Sequence, residues 1–198
     1  MVKVFSLPFS RVRLGITQDG LYRAIVDSKS AGELFTQRFG TFRTLKYHTG
    51  EPTKAHLPIK DLLQHNVAED FLRAAFSCDG GVNLYVARRK GKRGETLWLI
   101  RGVYLACAHS ILRKEYCYLL KILGINARNV EEDGKIKIET EKDIRIFHQK
   151  VGFIKGVQIT HTSKFWPKIE KQKLLEEVIR SYKSPKSVYS LRQFVKIR

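Results

Sequence analysis

Negative charge is in short supply in this chain: 19 Asp and Glu stand against 37 Lys and Arg in 198 residues, a formal charge of +18. A compact body repels itself at that charge, so the excess points to a polyanionic partner. Nucleic acid leads, and an anionic membrane surface is the alternative. The basic residues spread over predicted strands and hairpins as well as helices, which disfavours a single basic helix lying on a membrane. No apolar run approaches the roughly 18 residues of a membrane span, and the first residues lack a signal-peptide pattern. Cys78, Cys107 and Cys117 have no C-x-x-C spacing, and the six histidines no zinc spacing. These absences exclude a disulfide or zinc framework and lead to an expectation of reduced core thiols in a soluble intracellular protein. Long polar blocks are missing too, and 43% hydrophobic residues suffice for a packed interior.

The pattern along the chain is α+β. Two strands are expected over Val2–Ile16, broken at Pro8, and Leu21–Val26, with a turn at Gln18-Asp19-Gly20. Ser28 and Ser30 offer N-caps to a helix ending at Phe39 and Gly40, and Thr41–Tyr47 reads as a further strand. After a polar loop, Leu57-Pro58 opens a helical turn. Asn66 and Glu69 form a capping box for a helix through Cys78. Two β-rich segments, Val82–Arg88 and Thr96–Ala108, flank a basic hairpin. Ser110 is expected to cap a helix closed by Gly124. A strand near Asn126–Val130, a turn at Asp133-Gly134, the alternating strand Lys135–Glu139 and a helix over Lys142–Val151 follow. Pro167 introduces an amphipathic helix carrying Leu175, Val178, Ile179 and Tyr182. The order turn, strand, turn with a lysine (Lys29, Lys142), helix, glycine occurs twice, which suggests internal duplication.

The helix before Gly80 carries the chemistry. Val67, Phe71, Ala74, Ala75 and Cys78 fall on one face, while Leu72 and Phe76 point to a second apolar contact. Small side chains let another helix approach closely. Asp79 closes that face, with Gly80 expected in the left-handed conformation that stops the helix. An equivalent helix packed alongside would bring two aspartates together, an oxygen-rich set suited to Mg²⁺. A divalent cation there activates water toward a phosphodiester and offsets charge on the leaving oxygen.

Phe71-Leu72-Arg73-Ala74-Ala75-Phe76-Ser77-Cys78-Asp79-Gly80-Gly81-Val82 resembles the motif of the LAGLIDADG homing endonucleases, often written F-L-R-G-x-x-x-x-D-G-x-V. The resemblance covers residues 57–155 well and 1–56 weakly. It implies an αββαββα repeat with a saddle-shaped antiparallel DNA-binding sheet over 57–155. Residues 1–56 would be a partial first repeat lacking its motif helix, and 156–198 a C-terminal basic helical segment. It further implies that Asp79 is the catalytic, Mg²⁺-binding acid and Lys142 a basic residue near the scissile phosphate, with Lys29 its counterpart in the weaker copy. Arg88, Arg89, Lys90, Lys92, Arg93, Lys135 and Lys137 become candidates for contacts to double-stranded DNA. A homodimer, or a partner chain, would supply the second motif helix against Phe71, Ala74, Ala75 and Cys78.

The chain departs from the pattern at Ala74, where glycine is usual, at Ser77, where an acid is common, and near Ala108, where a polar residue is expected. The competing expectation is a non-catalytic nucleic-acid binder, such as a splicing cofactor or regulator, on the same fold. A different nuclease site built from Asp133, Glu139, Glu141 and Lys142 is a third expectation, with poorer spacing.

Overall fold

The computed structural model describes residues 12–16, 22–26, 28–39, 54–91 and 94–183. The chain divides into two compact units, Met1–Ala55 and His56–Arg198. In the first, β1 (Val12–Ile16) and β2 (Tyr22–Val26) form an antiparallel hairpin, followed by the helix α1 (Lys29–Phe39). The expected strand Thr41–Tyr47 and the turn at Gln18–Gly20 lie outside the described residues.

The second unit is α+β. It begins with α2 (Ile59–Gln64), then runs α3 (Ala68–Asp79), β3 (Gly80–Gly91), β4 (Gly94–Ala106), α4 (Ser110–Ile122), β5 (Arg128–Val130), β6 (Lys135–Ile138) and α5 (Glu141–Lys150), and closes with α6 (Lys171–Ser181). The four strands form one antiparallel sheet in the order β3-β4-β6-β5. The hairpin β5–β6 followed by α5 repeats the order seen in β1–β2 followed by α1.

Alternation decides the faces of this sheet. Ile136 and Ile138 of β6 are fully buried, and they pair with Leu105 and Val103 of β4, also buried. Helices α3, α4 and α6 pack on that side. Leu72 and Phe76 of α3, Leu119 and Leu120 of α4, Ile144 and Phe147 of α5, and Leu174, Leu175 and Val178 of α6 fill one core. Phe147 meets Phe76 and Phe153 edge-on, at centroid distances of 4.8 and 5.7 Å. Helix α6 contributes three fully buried side chains to the core of this unit. Arg101 of β4 locks α6 in place, donating to the Ser181 carbonyl at 2.7 Å and stacking on Tyr182.

Several local expectations change. The N-cap of α3 is Val67 without a side-chain bond, and Asn66 instead takes the left-handed turn before it (φ 54°). His109, not Ser110, caps α4 by accepting from the Leu112 amide at 3.3 Å. Gly124 does close α4 in the left-handed region (φ 82°). Gly80, by contrast, is extended (φ −100°, ψ 175°). Its missing side chain serves proximity: a Cβ there would lie 2.5 Å from the Phe76 carbonyl oxygen and 2.7 Å from that of Tyr104. The cysteines are free: Cys78 is exposed, Cys107 is half-buried, and Cys117 is half-buried and packs against the core. No helix among the described residues is long and apolar enough to cross a membrane.

Candidate functional site

Helix α3 has two unlike sides. Leu72 and Phe76 are fully buried, and the Ser77 hydroxyl accepts from the Ile154 amide at 2.8 Å. Arg73 ties the helix to the end of α5 by donating to the Val151 carbonyl at 2.6 Å. On the other side Val67, Ala74 and Cys78 are exposed, flanked by half-buried Phe71 and Ala75. Phe71 stacks on Tyr116 of α4 with centroids 6.0 Å apart. This exposed side leads down to the Asp79 carboxylate, itself exposed at the helix end.

A lysine that sequence reasoning missed stands at the same end. Lys171, the first residue of α6, is 8% exposed, and its ammonium donates to the carbonyls of Ser77 and Gly80, each at 2.7 Å. These are orphan carbonyls of the α3 terminus, where the helix dipole favours a cation. Burial pushes the Lys171 pKa below the ordinary lysine value, and the negative potentials of Cys78 and Asp79 oppose the shift. The signal was present in the sequence: Lys171 precedes Leu174, Leu175 and Val178 at helical spacing on the same apolar face. Tyr116 completes the surroundings. Burial first, then Cys107 and Asp79, push its hydroxyl up to about 12, so it remains protonated at neutral pH.

The loop after β4 is held from beneath. Arg113, buried, donates to the carbonyls of Cys107 (2.8 Å) and Ala108 (2.7 Å) and to the Asn129 side chain (2.9 Å). Ala106 and Ala108 are both exposed.

Lys142 is exposed on the first turn of α5. Ala106, near the α3 end of β4, pairs with Lys135, whereas Ile138 pairs with Val103, so the chain leaving β6 runs away from that end. The neighbouring Asp143 is a helix anchor: it accepts from the Asn126 amide at 2.8 Å and from the Thr140 hydroxyl. Lys29 is exposed and pairs with Glu33 at 3.8 Å. Lys135 and Lys137 lie on the sheet face opposite the helices. Arg88, Arg89 and Lys90 take backbone positions toward the outer end of β3, opposite Leu97, Thr96 and Glu95. Their side chains, and the whole of Lys92 and Arg93, lie outside the described residues.

Asp133, Glu139 and Glu141 do not converge. Each pairs with a different base, Lys137, Arg128 and Arg145 respectively. Among the described residues no three His, Cys, Asp or Glu side chains group as a metal set. Asp79 is exposed at the α3 end, and a hard divalent cation fits there once a second carboxylate is brought up. No family model and no curated protein matches this chain.

Proposed function

We propose that this chain is a DNA endonuclease of the LAGLIDADG type whose Mg²⁺-dependent site is completed when α3 pairs with the same helix of a second copy. One observation carries the reading. Helix α3 buries its large side chains in its own core and leaves a face of alanines and Cys78 open, ending in the exposed Asp79. A self-complementary contact between two such faces lets the helix axes approach to about 8 Å. Two Asp79 carboxylates then meet at one end and hold the cation. Mg²⁺ would supply activation of water and relief of charge on the phosphodiester. The chain's own groups set the surroundings: the Lys171 ammonium keeps positive charge against the helix end, and Tyr116 stays a neutral donor.

The β3–β4 ribbon supports duplex DNA as the substrate. It is 12 to 13 residues long on each strand, about 40 Å, and a two-stranded ribbon fits the roughly 12 Å major groove. Lys135 and Lys137 share the face away from the core, in a chain of net charge +18. The exposed Ala108, where a polar side chain is expected, favours a second reading: a non-catalytic nucleic-acid binder on the same fold, such as a splicing cofactor or regulator.

Light scattering with and without Mg²⁺ and duplex DNA, alongside cleavage of a randomised duplex library, tests the proposal. A two-chain particle that cuts is expected, with Ala74→Arg monomeric but folded because that position is exposed. Asp79→Asn should abolish cleavage and leave affinity intact. A strict monomer that binds without cutting would establish the second reading instead.

A further inference from the structure

The sheet face turned away from the helices holds a polar group at the same end as Asp79. Lys135 pairs with Ala106, and Tyr104 pairs with Lys137 on one side and Gly81 on the other, so by alternation these residues share that face. Gly81, two residues after Asp79, has no side chain because Tyr104 occupies its place. A Cβ at Gly81 would lie 2.6 Å from the phenol oxygen and 2.7 Å from Cζ of Tyr104. The Lys135 ammonium sits over the same ring, 5.3 Å from its centroid.

The neighbouring cations are engaged differently. Lys137 pairs with Asp133, and Arg128 pairs with Glu139 at 2.9 Å. A carboxylate partner cancels charge and competes with an incoming anion, whereas an aromatic ring orients an ammonium and leaves its charge in place. Asp133 lies within Coulombic reach of Lys135 as well, yet its hydrogen bond goes to Lys137.

We propose that Tyr104 and Lys135 form a seat for a backbone phosphate of duplex DNA, beside the phosphodiester that Asp79 addresses; this rests on the endonuclease reading above. The phenol and the ammonium are two donors on one face, and a phosphodiester oxygen accepts from both. The seat stands two residues from Asp79, about 7 Å along an extended strand. Gly81 is its footing, since only glycine lets the ring lie across β3.

Salt-dependent affinity for duplex DNA reads the seat directly. Losing one phosphate contact lowers the slope of log K against log salt by about 0.9. Lys135→Gln should show that change, and Lys114→Gln, on exposed α4 surface packed against the opposite face, should not. Tyr104→Phe keeps the ring and removes one donor, so affinity should fall roughly threefold to tenfold with little change in slope. Gly81→Ala should swing the ring aside and lower affinity at least as far, with the circular dichroism spectrum unchanged. Equal slopes for Lys135→Gln and Lys114→Gln, or wild-type affinity in Tyr104→Phe, would overturn the seat while leaving the endonuclease reading in place. A flat salt response in the wild type would overturn both.

Discussion

Replacing Lys171 with methionine separates the packing of α6 from the charge it delivers to the α3 terminus. Methionine keeps the length and most of the apolar stem, so the loss is confined to the ammonium and its two bonds of 2.7 Å to the carbonyls of Ser77 and Gly80. Bonds from a charged donor contribute about 1.5–3 kcal/mol each, so the gross loss is about 3–6 kcal/mol. The burial that depresses the Lys171 pKa is a penalty on the charged form, and its removal returns part of that sum. The net expectation is a destabilisation of about 2–4 kcal/mol. With a urea m-value of about 2 kcal/mol/M, the unfolding midpoint should move down by roughly 1–2 M at unchanged slope. Urea titration of the full chain at pH 7 measures it, and Lys171→Arg, which keeps the charge, should recover part of the loss. A midpoint within about 0.3 M of wild type, well short of that expected shift, would show that the two carbonyls find other partners. Lys171 would then not be what holds the Asp79 end of α3.

Other expectations follow from the same geometry. Gly80→Ala should cost about 2–4 kcal/mol in urea unfolding, because its Cβ would strike two backbone oxygens that cannot swing away. Asp143→Ala should cost about 3 kcal/mol at pH 7, since it removes the carboxylate that accepts from the Asn126 amide and from the Thr140 hydroxyl. Burial raises the Asp143 pKa, but the Asn126 and Thr140 hydrogen bonds outweigh it and hold the group below its ordinary 3.8. The stability contributed by that carboxylate is therefore present above about pH 4 and lost as pH falls through the depressed folded value. Wild-type and Asp143→Ala unfolding curves should converge in that acid range, and a constant gap down to pH 2 would contradict it.

Much of the second unit was legible because its signals are local. Period-two alternation at Lys135–Ile138, the apolar stripe of α6 and the left-handed Gly124 each follow from residues next to one another in sequence. The two faces of α3 were legible for the same reason, since Leu72 and Phe76 lie off the line of Phe71, Ala75 and Cys78. Glycine roles were harder. Gly80 and Gly81 look like a helix stop, but Gly80 is fixed by the approach of Phe76 and Tyr104 backbone, and Gly81 by the Tyr104 ring.

Composition, charge and the motif helix thus determined by themselves an α+β chain with a basic surface and one carboxylate at the end of a small-residue face. Only tertiary structure decided what stands beside that carboxylate. Lys171 is 92 positions away from Asp79 in sequence and arrives because α6 packs into the core under α3. The register of β6 on β4 directs that strand away from the Asp79 end before Lys142 is reached. Sequence spacing constrains neighbours within a helix turn or a strand pair. Which distant charge shares a helix end is set by how the layers close, where a buried ammonium is retained only by finding carbonyls to bond.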